Sequence, residues 1–136
     1  MAFLYDVRLA FLVMLMLAQH LELTSAGVRV TGLRAENLSG ADPSGNQADA
    51  YVKVNCNGVF RSMTEHRTDT DDPQWSAEFI IKNCEVGDTL ALEVWDKDLI
   101  FDDHLYTCII ELKSGSYRIT CPNKYYGTLY FDYIMF

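Results

Sequence analysis

The chain has 136 residues, of which 49% are hydrophobic, and a formal net charge of −8 at pH 7. This length allows one domain of ordinary size. Because phosphate contacts need a basic surface, the acidic balance and the lack of any cluster of four or more Lys and Arg argue against nucleic acid as a partner.

The N-terminal segment contains an apolar run at residues 9–18. A membrane span needs roughly 20 apolar residues, and polar side chains end this run well short of that. Residues 24–26 place small side chains at the −3 and −1 positions of a cleavage site after Ala26. We therefore expect residues 1–26 to be a secretory signal peptide, with a signal anchor as the alternative, and residues 27–136 to form one secreted, extracellular domain.

Short alternating runs of apolar and polar residues follow from residue 28 onward, with turn residues between them. Asn57-Gly58 is a strong hairpin signal. The predicted strands are residues 28–35, 51–54, 60–63, 76–81, 89–95, 107–112, 116–121 and 128–133. Eight short antiparallel strands predict an all-β fold, a two-sheet β-sandwich. Trp75 and Trp95 have strand-like context and are expected in its core.

The four cysteines all lie after residue 26, and in a small secreted domain an even number indicates disulfides. Four cysteines allow three pairings. Cys108 and Cys121 bracket a strand, turn and strand around Ser114-Gly115, so we favour this pair and, by remainder, Cys56 with Cys84. Asn37-Leu38-Ser39 is a glycosylation sequon, and Asn37 is therefore a candidate glycan site.

Two clusters of aspartates lie directly beside predicted strands. They are Asp42 and Asp49 before residues 51–54, and Asp96, Asp98, Asp102 and Asp103 after residues 89–95. In an up-and-down order of strands, the connections that carry them, together with residues 69–74, emerge from one end of the sandwich. Such carboxylates repel one another unless a hard cation lies among them, and calcium takes six to eight oxygen ligands. The alternative is a solvated acidic rim without a metal.

An apolar triplet, Leu99-Ile100-Phe101, interrupts the second acidic cluster. Burial of this triplet in the core would bring the flanking carboxylates inward at a large cost in desolvation. We expect it to enter a membrane interface once calcium neutralises the rim. The alternative is a loop tip that folds back onto the sandwich.

The motifs in these segments resemble those of C2 domains over residues 28–136. They are, in order, Gly32-Leu33-Arg34-Ala35-Glu36-Asn37-Leu38, Ala48-Asp49-Ala50-Tyr51-Val52-Lys53-Val54, Asp72-Pro73-Gln74-Trp75 and Val94-Trp95-Asp96-Lys97-Asp98. The form of residues 49–54, the aspartate spacing of residues 95–103 and two cysteines around Ser114-Gly115 are most similar to the perforin type of C2 domain. A first strand that leads directly into an acidic loop, with an extra strand at the end, resembles type II topology.

This resemblance implies calcium-dependent docking on phospholipid membranes, with loop carboxylates as the ligands. By position, Asp42 and Asp49 supply the first loop, and Asp96, Asp98 and Asp102 or Asp103 supply the third. Many family members place the last aspartate of that loop where this chain has His104. We expect a stand-alone C2 domain without a pore-forming domain, and no enzyme activity, because neither His66 nor His104 lies in a recognisable nucleophile motif. The alternatives are a calcium-stabilised module that binds an extracellular protein or glycan, and a hydrolase with a calcium-ordered site.

Overall fold

A computed structural model describes residues 7–16, 26–40 and 47–136. Residues 7–16 form a helix whose apolar side chains are exposed. Within the described ranges, no helix has both the length and the apolar character needed to cross a membrane. The expected cleavage segment, apart from Ala26, lies outside the described residues.

Residues 27–136 form an all-β sandwich, as predicted. The strands are β1 (Gly27–Glu36), β2 (Ala50–Cys56), β3 (Val59–Met63), β4 (Phe79–Lys82), β5 (Thr89–Asp96), β6 (Asp103–Glu111), β7 (Ser116–Asn123) and β8 (Gly127–Met135). All the neighbouring strands pair antiparallel. One sheet has the order β4-β1-β8-β7 and the other the order β3-β2-β5-β6.

The strand order confirms type II topology and corrects one step of the sequence argument. The last strand, β8, lies between β1 and β7, and β1 leads directly into the first acidic loop. The chain does not run up and down through neighbouring strands, because the β1–β2, β3–β4, β4–β5 and β6–β7 connections each pass from one sheet to the other. The β1–β2, β3–β4 and β5–β6 loops nevertheless emerge at the same end, as expected.

The core forms from the inward positions of alternating strands. Along β5, Leu90, Leu92 and Val94 are fully buried, while the residues between them are partly exposed. Burial of each such side chain stabilises the fold by roughly 1.5–3 kcal/mol before entropy is counted. Trp75 lies in the core as expected, but Trp95 does not, because it falls on the outward phase of β5.

Two strands start more than one residue away from the predicted position, and both lie next to irregular pairing. The register of β1 with β8 shifts between Thr31 and Arg34, where Gly32 has a φ of 63°. Pairing of β4 with β1 begins at Phe79, opposite Val30 and just before this shift, rather than at residue 76. A second shift, between Val94 and Trp95, lets β6 pair with β5 from Asp103 onward, four residues earlier than predicted.

Both favoured disulfides are present, and each joins one sheet to the other. Cys56 of β2 bonds to Cys84, which follows β4, with the Cα atoms 6.1 Å apart. Cys108 of β6 bonds to Cys121 of β7, with the Cα atoms 5.9 Å apart. These bonds hold the sandwich closed on its two opposite sides.

Candidate functional site

Three loops meet at one end of the sandwich and are joined through Asp49. The backbone N–H of Asp69, in the β3–β4 loop, donates to Oδ1 of Asp49 at 2.7 Å. The backbone N–H of Lys97, in the β5–β6 loop, donates to the carbonyl oxygen of Asp49 at 2.9 Å. Asp49 therefore connects all three of the loops in which the sequence placed acidic side chains.

Among the described carboxylates of this end, Asp96 is the most buried, with a relative exposure of 7%. Its Oδ1 accepts a hydrogen bond of 2.8 Å from the backbone N–H of Asp49. Burial raises the pKa of Asp96, and the carboxylates of Asp49, Asp103 and Asp98 raise it further, while the bond from Asp49 opposes the shift. The negative charge on Asp96 is therefore costly unless a positive charge lies nearby.

Asp98 and Asp102 close the β5–β6 loop on itself. The backbone N–H of Asp98 donates to Oδ1 of Asp102 at 2.9 Å, and the phenol of Tyr51 donates to Oδ2 at 2.6 Å. The Tyr51 bond, followed by the Asp98 bond, lowers the pKa of Asp102. These two hydrogen bonds therefore favour the ionised form of Asp102, which is partly exposed at the protein surface.

Asp103, rather than His104, lies beside Asp96. Asp103 pairs with Asp96 in the β5–β6 register, and His104 pairs with Trp95. The His104 ring packs against Trp95 with ring centroids 5.1 Å apart, and its Nε2 lies 2.7 Å from Oγ1 of Thr107. The register shift therefore places a carboxylate next to Asp96 and gives the histidine a contact with an aromatic ring.

The expected carboxylates stand near one another without forming a closed ligand set. Within the part of the chain that the structure describes, the group of three potential ligands within 4.8 Å is Cys56, Cys84 and Asp88, whose sulfurs are joined in a disulfide. Asp42 lies outside the described residues. Asn37, the candidate glycan site, is exposed at the end of β1.

The apolar triplet forms the exposed tip of the β5–β6 loop. The relative exposures of Leu99, Ile100 and Phe101 are 101%, 82% and 81%. The alternative expectation, a tip folded back onto the sandwich, is wrong for these side chains. Three adjacent apolar side chains therefore face solvent between Asp98 and Asp102 and form an exposed apolar patch.

The sequence did not reveal the contact of Tyr51 with Asp102. Tyr51 lies in β2 with most of its side chain buried, so the alternation of the strand indicates only a core residue. Its position two residues after Asp49, at the start of a strand that follows an acidic loop, is the signal that could have predicted this contact.

Residues 27–125 match the C2 domain family. The chain belongs to the C2 domain family. It is 32% identical to mouse perforin-1 over 111 residues, which cover 76% of this chain and 19% of perforin-1. It is 38% identical to human perforin-1 over 92 residues, which cover 62% of this chain and 16% of perforin-1.

The C2 fold is also supported by solved structures. A structure described as "Structure of a C2 domain" matches with a TM-score of 0.75 and 32% identity, over 81% of this chain and 97% of that one. The chain therefore spans less than a fifth of the perforin-1 relatives and nearly all of a single C2 domain. The predicted resemblance to a perforin-type C2 domain is confirmed.

Proposed function

We propose that this C2 domain binds calcium among its loop aspartates and then docks on phospholipid membranes, without catalysing a reaction. The observation that carries the proposal is the position of an exposed apolar tip, Leu99-Ile100-Phe101, within a cluster of carboxylates. The proposed ligands are Asp42, Asp49, Asp96, Asp98, Asp102 and Asp103. These oxygen donors fit calcium, which accepts many carboxylate oxygens in irregular geometry.

The calcium step is supported by the electrostatics of Asp96. This carboxylate is buried, and its pKa is raised by burial and then by its acidic neighbours. A divalent cation would offset both costs. Asp49 and Asp96 are already joined by a hydrogen bond of 2.8 Å, so part of the proposed ligand set is oriented before the ion arrives.

The membrane step would follow from neutralisation of the same carboxylates. Anionic lipid repels an acidic rim, and a bound calcium ion would reverse this local field and contact lipid phosphate. The apolar tip could then enter the interface. Full burial of one side chain such as Phe101 contributes roughly 1.5–3 kcal/mol, which corresponds to about tenfold or more in affinity.

We also propose that the domain is secreted after removal of residues 1–26. Two features support this location: the exposed apolar helix at residues 7–16 and the two disulfides, which persist in oxidising compartments. Asn37 is exposed and would accept a glycan in the secretory pathway. Edman sequencing of secreted protein should begin at Gly27, and a start within residues 1–10 would contradict the cleavage.

Co-sedimentation with phosphatidylserine-containing vesicles tests the proposal. Wild type should bind in calcium and stay in solution with a chelator. Phe101→Ala should weaken vesicle binding about tenfold and leave calcium affinity without lipid nearly unchanged, whereas Asp98→Asn should weaken both. The matched control is Val86→Ala, since Val86 is an exposed apolar residue in the β4–β5 loop, at the opposite end of the sandwich.

Three results would overturn parts of this proposal. Equal vesicle binding in calcium and in chelator would exclude calcium-dependent docking. Calcium binding without any vesicle binding would favour the alternative of a calcium-stabilised module for an extracellular protein or glycan. Wild-type vesicle binding by Phe101→Ala would exclude the tip as the anchor.

A further inference from the structure

The β7–β8 turn lies at the same end of the sandwich as the acidic loops. The N–H of Ser39, in the β1–β2 loop, donates to the carbonyl oxygen of Tyr126 at 3.2 Å. Glu36, the last residue of β1, pairs with Thr128 near the start of β8. The turn is therefore a fourth connection at the end that we propose to face the membrane.

The β7–β8 turn also lies across the sandwich from the exposed tip. The two disulfides fix how the sheets stack, because one joins β2 to the residue after β4 and the other joins β6 to β7. The hairpin of β7 and β8 therefore packs over the hairpin of β5 and β6. Packed sheets are about 10 Å apart, so the two hairpin ends are close neighbours on this surface.

The turn is held in place by backbone contacts and is not a loose loop. Oδ1 of Asn123 accepts hydrogen bonds from the N–H groups of Tyr125 and Tyr126, at 2.9 and 3.0 Å. Gly127 has a φ of 108°, and a Cβ at this position would lie 2.6 Å from the carbonyl oxygens of Glu36 and Asn37. The turn therefore projects its side chains from a fixed base.

The side chains that it projects are a cation and an aromatic ring. Tyr125 has a relative exposure of 74%, and Nζ of Lys124 lies 5.6 Å from the centroid of its ring. Tyrosine prefers the level of lipid headgroups, where its ring is in an apolar layer and its hydroxyl in water. A lysine at the surface is attracted by anionic lipid.

We propose that Lys124 and Tyr125 form a second membrane contact, which binds the anionic headgroup layer of a phospholipid bilayer while the β5–β6 tip enters deeper. This inference rests on the proposed membrane docking. The contact itself needs no calcium, because neither side chain is an acidic ligand. It would set the tilt of the domain, since two contact points across the sandwich define an orientation that one tip leaves free.

Vesicle binding by the secreted protein in calcium tests this second contact. The variants are Lys124→Gln and Tyr125→Ala, and their matched controls are Lys113→Gln in the β6–β7 loop and Val86→Ala, both at the opposite end. Lys124→Gln should weaken binding to vesicles of phosphatidylcholine and phosphatidylserine about fivefold, since one lysine near an anionic surface contributes about 1 kcal/mol. This loss should vanish with pure phosphatidylcholine and at high salt.

A fluorescence variant gives an independent measurement. In Tyr125→Trp, the added emission should shift to shorter wavelength when vesicles bind and should be quenched by lipids with quenchers near the headgroups. Thermal melting of each variant controls for folding, and we expect no change because the altered side chains are exposed.

The outcomes separate this inference from the proposed function. If Phe101→Ala weakens binding while the Lys124 and Tyr125 variants match their controls, membrane docking stands and the second contact is overturned. An unshifted Tyr125→Trp emission in sedimented, vesicle-bound protein would overturn it as well. If wild type does not bind vesicles in calcium, both proposals fail.

Discussion

The phenol of Tyr51 donates a hydrogen bond of 2.6 Å to Oδ2 of Asp102, and this bond joins the start of β2 to the end of the β5–β6 loop. Burial, followed by this bond to a carboxylate, raises the pKa of Tyr51, so the phenol remains a donor over the whole physiological range. The same bond lowers the pKa of Asp102 below its unfolded value. Its stabilising effect is therefore present above the unfolded pKa and is lost as pH falls through the folded pKa.

The first prediction concerns this bond. Tyr51→Phe should weaken calcium affinity about tenfold, because partners that orient a metal ligand typically contribute 10- to 100-fold. Isothermal titration with calcium measures the effect. The control is Tyr117→Phe, which removes a hydroxyl bonded to the carbonyl oxygen of Ser114 at the opposite end. Unchanged affinity in Tyr51→Phe would mean that the phenol does not position a calcium ligand.

The second prediction concerns the buried charge of Asp96. Its folded pKa is raised, so its contribution to stability is present below the unfolded pKa and is lost as pH rises through the folded pKa. Asp96→Asn keeps an acceptor for the N–H of Asp49 and removes the charge. At neutral pH in chelator we expect a melting temperature higher by a few degrees, together with loss of the calcium-induced shift.

Calorimetric melting of Asp96→Asn in chelator and in calcium checks this prediction. In wild type, millimolar calcium at a site with a Kd of ~0.1 mM should add about 1.4 kcal/mol of stability. A variant that melts lower than wild type in chelator would contradict the stated cost of the Asp96 charge. Identical wild-type melting in calcium and in chelator would contradict the calcium site itself.

The third prediction uses Asp88, far from the acidic end. The N–H of Glu85 donates to Oδ2 of Asp88 at 2.8 Å, and this bond, followed by the side chain of Asn57, lowers the pKa of Asp88. Its contribution is present above the unfolded pKa and lost as pH falls through the folded pKa. Asp88→Asn should therefore reduce the acid sensitivity of stability below about pH 4. Urea midpoints against pH measure this, and parallel curves for the variant and wild type would refute it.

The fourth prediction concerns the disulfide pairing. Peptide mapping without reduction should recover Cys56 with Cys84 and Cys108 with Cys121. The disulfide between Cys108 and Cys121 closes a loop with a sequence separation of 13 residues. Cross-linking a loop of this length stabilises the folded state by roughly 3 kcal/mol. Joint Cys108→Ser and Cys121→Ser substitution should therefore lower the free energy of unfolding by about this amount. Recovery of Cys56 linked to Cys121, or of free thiols, would show that the pairing in secreted protein is different.

The strands were predictable because one face of each strand is buried and the other faces solvent. Leu90, Leu92 and Val94 occupy every second position, so the period of β5 is visible in the sequence. Which residues of β5 face outward was harder to predict, because Trp95 is a large aromatic residue and still lies on the outward face. The early start of β6 at Asp103 was missed because it depends on a register shift, for which the sequence has no period.

The acidic loops were predictable from composition, and their connections were not. Six aspartates beside two strands predict a cation site whenever the fold brings the two loops to the same end of the sandwich. This prediction does not depend on the exact spacing of the aspartates. The bond from Tyr51 to Asp102 spans 51 residues, and the position of the Lys124-Tyr125 turn depends on which strands are neighbours. Contacts of this kind follow from the order of strands in the sheets, and hydrophobic alternation carries no information about that order.

The two bonds between the sheets also determine how the domain would extend under load. Cys56 and Cys84 are 28 residues apart in sequence, and Cys108 and Cys121 are 13 apart. When the ends of the chain are pulled, the residues inside each bridge cannot add to the length of the stretched chain. A single molecule should therefore unravel to a shorter contour before reduction than after it, with the strands β3, β4 and part of β6 and β7 shielded from the applied tension.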